Sequence, residues 1–235
     1  MMSDVACGSE YPRLPPQVPS RFLAERWWLE VKAEEEKTMV SVGLDLGKKR
    51  DHTAIVWVES PWVHPLSTVQ DRSLLVRAAE RLPLGVSYCE IVEIVRHVIN
   101  LARARCGPHE SPKLAVDATG LGKPVVDLLR AANLGCVITA VTITGGDRQT
   151  YRPGEGFALN VPKQNLISGL QVALDRGELR IASRMREAGI LQRELLDVRM
   201  SGRELGHLRY GADGHGQHDD PVIALALAVW RAKMR

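Results

Sequence analysis

Aspartates at three places in the chain are the residues whose type and setting suit metal chemistry. Asp45 ends an alternating run of apolar and small residues, and Asp117 ends a short apolar run. Asp219 and Asp220 stand directly before an apolar, alanine-rich segment. Carboxylates at the ends of buried strands carry a large desolvation cost unless a positive charge compensates it, and a divalent cation does this well. Gathered together, these side chains would form an oxygen-ligand site for Mg²⁺ or Mn²⁺, which requires no histidine or cysteine.

Each aspartate, taken singly, also has an ordinary structural explanation, because aspartate often ends strands, forms turns and caps helices. This explanation is strongest for Asp220. Pro221 suits the first position of a helix, and Asp220 would then be the N-cap. Asp219 would in that case be the metal ligand. The sequence does not assign the two roles, so both aspartates are candidate ligands.

Strand and helix patterns alternate along the chain around these aspartates. Strands are predicted at residues 39–46, 53–58, 73–82, 113–116 and 136–141, helices at residues 86–104, 124–132, 162–175, 183–196 and 221–233, and a hairpin at residues 198–209. The alternation favours an α/β fold in which helices cover a sheet. Alternate alanines in the last helix would let it pack closely on the sheet and bring its acidic start toward Asp45.

Length and composition predict one globular domain with a short N-terminal appendage. Of the 235 residues, 45% are hydrophobic and 25% are charged, which is enough to bury one core. Residues 1–38 are predicted to form a proline-rich leader and an N-terminal helix, and residues 39–235 the domain. The net charge of +3 permits contact with a polyanion but is weaker than that of dedicated nucleic-acid binders.

The sequence carries no sign of a membrane or secreted protein. No segment approaches the roughly 20 consecutive apolar residues of a membrane helix, and the N-terminus lacks an apolar signal-peptide core. The four cysteines lie far apart without a paired C-x-x-C spacing, so neither a zinc site nor a disulfide framework is indicated. We therefore expect a soluble, cytoplasmic protein with no membrane partner.

Five segments, taken in order, resemble the nuclease domain of phage terminase large subunits. They are GLDLGKKRDHTAIVWVE, RLPLGVSYCEIVEIV, LAVDATGLGKPVVDLL, VPKQNLISGLQVALDRGELRI and GQHDDPVIALALAVW, and they extend from about Val40 to the C-terminus. The resemblance implies a ribonuclease H-like α/β fold, with a mixed central sheet flanked by helices. It also implies an acidic cluster that holds one or two Mg²⁺ or Mn²⁺ ions, formed by Asp45, Asp117, Asp219 and Asp220. The implied activity is endonucleolytic hydrolysis of double-stranded DNA during viral genome packaging, in the cytoplasm of the host cell.

Several residues beside these aspartates are further candidates. Asp51 and His218 would orient ligands or water, although Asp51 also suits a turn and His218 a solvated loop. Basic residues near the acidic cluster would contact DNA phosphates, and each is otherwise an ordinary solvated charge. They are Lys48, Lys49, Arg50, Lys123 and Lys163.

Alternative functions remain open at the level of the sequence. The string ATGLGKP lacks the first glycine and the final hydroxyl residue of a nucleotide-binding P-loop. A terminase ATPase motor, a small terminase subunit and a portal would therefore be partners. The sequence does not decide whether this is an excised nuclease domain, a separately encoded one, or a prophage remnant whose motor lies on another chain. The strings GLDLG and VDATGLG also resemble the phosphate-binding turns of actin-like and sugar-kinase-like phosphotransferases. A Holliday-junction resolvase would share the acidic core. A catalytically silent DNA-binding or assembly module of the same fold is the alternative without an enzymatic activity.

Overall fold

A mixed eight-stranded sheet organises the part of the chain that the computed structural model describes. The described residues are 38–47, 51–61, 73–107, 109–120, 122–152, 154, 157–182, 185–204 and 220–234. The strands are β1 (Thr38–Asp45), β2 (Ala54–Pro61), β3 (Leu74–Arg81), β4 (Lys113–Asp117), β5 (Val137–Thr144), β6 (Thr150–Tyr151), β7 (Ala158–Pro162) and β8 (Leu179–Ile181). Their order across the sheet is β6-β7-β5-β4-β1-β2-β3-β8.

Strand directions give the sheet one edge at which most strands end. β1, β4, β5 and β7 run parallel to one another, and β3 runs parallel to β8. β2 is antiparallel to both β1 and β3, so β3 has the same direction as β1. We call the edge at which β1, β3, β4, β5 and β7 end the carboxyl edge. Side chains that follow these strands therefore meet at one place, whatever their separation in sequence.

Helices cover both faces of the sheet. They are α1 (Tyr88–Arg105), α2 (Gly122–Ala131), α3 (Lys163–Asp175), α4 (Ala188–Glu204) and α5 (Asp220–Lys233). Buried residues of α1 and α2 share one core with the even-numbered side chains of β1 and β4, whereas α3, α4 and α5 share the second core on the opposite face. Every residue from Asp220 to Val229 is buried, so α5 is a central helix and not a surface one. None of the described helices is long and apolar enough to cross a membrane.

The packing of α5 depends on a small residue in the sheet. A Cβ atom added to Gly43 in β1 would overlap the carbonyl oxygen of Ala224 and lie 2.8 Å from the backbone nitrogen of Ala228. The backbone of α5 therefore rests directly on β1. This close approach is what the alternate alanines of the last helix predict, and it sets how near the start of α5 comes to the sheet.

At the edge opposite the carboxyl edge, one glutamate and two arginines form a separate, structural ion-pair network. Glu59 in β2 is 3% exposed and accepts hydrogen bonds from Arg105 Nε at 2.6 Å and from Arg77 Nε at 2.7 Å. These three side chains join the end of α1 to β2 and β3. The two guanidinium groups compensate the negative charge of the buried Glu59 carboxylate. Arg77 and Arg105 therefore serve the structure of the core.

The predicted α/β class, with a mixed sheet flanked by helices, is confirmed, and the predicted strands and long helices are present with shifts of a few residues. The hairpin predicted at residues 198–209 is wrong over residues 198–204, which continue α4; residues 205–209 lie outside the described residues. One glycine in a helix costs only about 1 kcal/mol, which does not end a helix of this length. The proline-rich leader and the N-terminal helix lie outside the described residues, so the predicted domain boundary is not tested.

Candidate active site

Two of the candidate aspartates lie side by side at the carboxyl edge. β1 and β4 are neighbouring parallel strands in which Leu44 is paired with Val116, so the next residues, Asp45 and Asp117, follow in the same register. Neighbouring strands are about 4.8 Å apart. Both aspartates are half-buried. The fold thus brings together two carboxylates that are distant in the sequence.

Both carboxylates point to the face of the sheet that α5 covers. Successive side chains of a strand alternate between its two faces. Leu44 and Val116 belong to the core under α1 and α2, whereas Ala115 belongs to the core on the α5 face. Gly43 likewise contacts α5. Asp45 and Asp117 continue this alternation onto the α5 face.

The start of α5 brings a third carboxylate to the same corner of the sheet. Asp220 is the first residue of α5 and is 7% exposed. Its Oδ2 atom lies 3.9 Å from Arg81 Nε at the end of β3. Arg81 is paired with Ala54, which is paired with Asp45, so all of these residues lie in one row across the carboxyl edge.

The donor atoms that this corner offers are carboxylate oxygens, which suit a hard divalent cation that keeps several of its waters. Asp45 and Asp117 fit such an ion. Among the described residues, no three His, Cys, Asp or Glu side chains are grouped closely enough to hold a metal ion. Asp219 and His218 lie outside the described residues. The predicted set of four metal ligands therefore stays a prediction. The structure brings two of them, Asp45 and Asp117, into adjacent positions.

Known structures share this arrangement of strands and helices. The terminase nuclease domain of human cytomegalovirus is similar over 90% of this chain and 91% of its own length, with a TM-score of 0.52 and 14% identity. The same domain, soaked with Mn and bound to an inhibitor, has a TM-score of 0.51 and 12% identity, with the same coverage. The large terminase nuclease of the thermophilic phage G20c has a TM-score of 0.50 and 19% identity, over 84% of this chain and 86% of its own. The chain has the fold of a terminase nuclease domain.

The resemblance in the sequence is thus confirmed at the level of the fold. No protein-family model matches the chain, and no curated protein matches it by sequence. With identities of 12–19%, the solved structures establish the terminase nuclease fold and leave the activity to be argued from the residues.

Other predicted residues of this terminase nuclease fold are distributed around the carboxyl edge. Asp51 is exposed in the connection from β1 to β2. Lys123 is exposed in the first turn of α2, which follows β4, and Lys163 is half-buried at the start of α3, which follows β7. Both lysines therefore lie at the carboxyl edge, where the strands that carry the aspartates end. The basic turn of residues 48–50 lies outside the described residues.

The sequence left open whether Asp220 is the N-cap of the last helix or a metal ligand. The helix begins at Asp220 itself, so the carboxylate belongs to the first turn. A negative charge in the first turn is favourable because the free N–H groups there carry partial positive charge. Its burial near Arg81 gives Asp220 a second interaction that sequence reasoning did not foresee.

Arg81 is the residue of this corner that the sequence analysis missed. Its Nη2 atom donates to Glu194 Oε1 of α4 at 2.5 Å, and its Nε atom faces Asp220. Arg81 therefore connects α4, β3 and the start of α5. The sequence contained no distinguishing signal, because an arginine at the end of an edge-side strand is ordinary and its partners lie more than 100 residues away.

Glu80, the neighbour of Arg81, is predicted to make stability depend on pH. Burial raises the pKa of Glu80 to about 7; Arg186 lowers it and Glu187 raises it further. Because the folded-state pKa exceeds the unfolded value, ionisation of Glu80 opposes folding. The loss of stability begins near pH 4.5, grows up to about pH 7, and is constant above that.

Glu80→Gln removes this ionisation. The variant is expected to be more stable than the wild type by about 1–3 kcal/mol at pH 8, with a smaller difference at pH 5. Urea unfolding at the two pH values measures both differences. A difference that is the same at pH 5 and pH 8 would show that Glu80 titrates normally in the folded protein.

Proposed function

We propose that this chain is the nuclease domain of a viral packaging terminase and that it hydrolyses phosphodiester bonds of double-stranded DNA with Mg²⁺ or Mn²⁺. The observation that carries the proposal is the pair Asp45 and Asp117, held side by side on parallel strands and facing α5. The fold shared with terminase nuclease domains supports it. One of those domains was studied after soaking with Mn, which agrees with the choice of cation.

Without a bound cation, the half-buried carboxylates of Asp45 and Asp117 would repel each other. Two negative charges on neighbouring strands raise the free energy of the folded state, and a cation between them would lower it. When bound there, one or two divalent ions supply activation of water and stabilisation of the charge that develops on the phosphate oxygens. Asp45 and Asp117 hold the cation, and Asp219 or Asp220 completes the set from the start of α5.

Neighbouring residues support this role. Arg81 holds the start of α5 against the end of β3 through Asp220 and Glu194, so the third carboxylate approaches from a rigid element. Lys123 and Lys163 lie at the same edge, where phosphates of a duplex would approach. The basic turn of residues 48–50, Asp51 and His218 are proposed as further contacts to phosphates, ligands or water.

An ATPase motor, a small terminase subunit and a portal are proposed partners of this domain, because its 235 residues contain no P-loop. The motor would move DNA while this domain cuts it. The proposal predicts little base specificity, since lysines at the edge contact the phosphate backbone and not the base edges.

Cleavage of supercoiled plasmid tests the function. Purified protein is incubated with plasmid in the presence of Mg²⁺, of Mn²⁺, and of EDTA. We expect nicked and linear products with either cation and intact plasmid with EDTA. A folded wild-type protein that cuts with neither cation would contradict the proposal, and ATP binding by that protein would favour the phosphotransferase alternative.

A further inference from the structure

A cavity of about 470 Å³ opens on the face of the sheet opposite Asp45 and Asp117. It lies between α2 and the sheet, beside the end of β4, the middle of β5 and the start of β7. Small residues form its floor, namely Ala118, Ala140 and Ala158, and all three belong to the core under α1 and α2. Because their side chains are short, they leave room for a phosphate ester together with the groups attached to it.

Positive charge dominates the wall of the cavity. Lys123 and Arg130 project from the same face of α2, two turns apart, and Arg152 follows β6 on the other side. Asp127 is the carboxylate among the described lining residues, and its side chain is 77% exposed and 3.8 Å from Arg130. An ion pair this exposed is screened by water and neutralises little of the charge. Three of the described lining residues are thus basic and one is acidic, a composition that suits an anion.

Arg152 is held in place for such a role. Its backbone nitrogen donates to Ala158 O at 2.9 Å, and its Nη1 atom donates to Thr142 Oγ1 at 3.1 Å. A guanidinium that is already fixed loses little conformational entropy when it binds a phosphate, and its planar array of donors matches phosphate oxygens. The cavity thus offers a prepared arginine opposite two cations on a helix.

The position of the cavity indicates which phosphate it would take. Ala118 in its floor directly follows Asp117, so the cavity begins one residue beyond the acidic corner. None of the described lining residues is aromatic, so they provide no surface on which a base could stack. Phosphate recognition without base stacking fits the backbone of a nucleic acid better than a free nucleotide.

We propose that this cavity binds a backbone phosphate of the DNA substrate through Lys123, Arg130 and Arg152. The inference rests on the proposed function and adds a positioning site to it. One phosphate held in the cavity sets the register of the strand, while another, on the far side of the carboxyl edge, reaches Asp45 and Asp117. The phosphate ester is the recognised group, and DNA is its source.

Binding to a short fluorescent duplex in EDTA tests the site without cleavage. The double variant Arg130→Gln with Arg152→Gln is expected to weaken binding several-fold and to reduce the slope of log affinity against log salt by about 0.9, as for one lost phosphate contact. Each single variant is expected to show part of this loss. Arg130→Gln keeps the hydrogen bond from Arg152 to Thr142, so it tests the site without altering that loop.

Arg176→Gln is the matched control. Arg176 follows α3 at the edge opposite the carboxyl edge, and its side chain is 62% exposed. It removes one positive charge, as each single cavity variant does, so the general electrostatic attraction changes equally in these three proteins. We expect wild-type affinity and salt slope for Arg176→Gln. Equal losses in the control and in the cavity variants would overturn the inference, because net charge alone would then explain them.

Two further outcomes separate the inference from the proposed function. Metal-dependent plasmid cleavage combined with unchanged duplex binding in the double variant would overturn the cavity and leave the nuclease standing. If the double variant loses duplex binding and the wild type cuts no plasmid with either cation, the result would support the cavity and contradict the nuclease. Competition with inorganic phosphate and with a mononucleotide shows which molecule carries the phosphate that the cavity binds. Tight mononucleotide binding that the same substitutions abolish would overturn DNA as the ligand.

Discussion

Asp45→Asn and Asp117→Asn are each expected to reduce metal-dependent plasmid cleavage by about 10²–10³-fold, the size of effect found when one preorganised electrostatic group is removed from a transition state. Asparagine has nearly the same shape as aspartate, so the strand ends keep their structure. It lacks the negative charge that attracts a divalent cation. Initial rates of nicking at saturating Mg²⁺ and Mn²⁺ measure the loss.

The reason for two equal losses is the geometry of the strand ends. Asp45 and Asp117 occupy adjacent positions on parallel strands and face the same side of the sheet, so each would hold part of the proposed metal site. A ligand that binds only the folded state raises its stability. Mn²⁺ is therefore expected to raise the melting temperature of the wild type and to have a smaller effect on both variants.

Asp175→Asn is the control for these substitutions. Asp175 is the exposed last residue of α3, at the edge opposite the carboxyl edge. We expect wild-type cleavage and the wild-type response to Mn²⁺. Retention of full activity in Asp45→Asn or Asp117→Asn would exclude that residue as a ligand, and retention in both would refute the acidic site.

Gly43→Ala is expected to lower the free energy of unfolding by about 3 kcal/mol or more, at the upper end of the cost of inserting a methyl group into a packed core. The added Cβ would overlap the carbonyl oxygen of Ala224 and lie 2.8 Å from the nitrogen of Ala228. Both are backbone atoms of α5, which cannot rotate away as a side chain does. The helix has to move, and Asp220 at its start moves with it.

Gly169→Ala provides the comparison in the same protein. Gly169 lies inside α3, and a Cβ atom added there meets nothing within 4 Å. Alanine is favoured over glycine in a helix by about 1 kcal/mol, so this variant is expected to be as stable as the wild type or more stable. Urea unfolding of the two variants measures the contrast. Equal stability of Gly43→Ala and wild type would mean that α5 does not rest on β1 as closely as the structure shows.

Local patterns were sufficient to predict most of the secondary structure. Alternation in the segment of β1, the apolar run of β4 and helical spacing in α1 and α5 arise from which faces of each element are buried, and each is visible in a short window of residues. The strands β6 and β8 were not predicted, because two or three residues are too few to show a period. The five-residue β7 was not predicted either, since a polar residue, Asn160, interrupts its apolar run. The hairpin prediction was wrong because glycine alone was taken to break a helix that in fact continues through it.

The candidate site divides in the same way. The aspartates after β1 and β4 were found because a carboxylate at the end of an apolar strand is conspicuous in the sequence. Arg81 and Glu194 were not found, since neither has a distinctive neighbour in the sequence and they meet across the gap between β3 and α4. The cavity between α2 and β5 was also missed, because Arg130 and Arg152 come from separate elements.

The sequence by itself determined which segments become strands and helices, and that Asp45 and Asp117 each end a strand, because these properties depend on neighbours within a few residues. Only the tertiary structure decided that β1 and β4 are adjacent and parallel, that both carboxylates face α5, and that Arg81 lies beside Asp220. Strand order and register depend on contacts between residues far apart in the chain. Their free energies arise only once the whole sheet is packed between its two layers of helices.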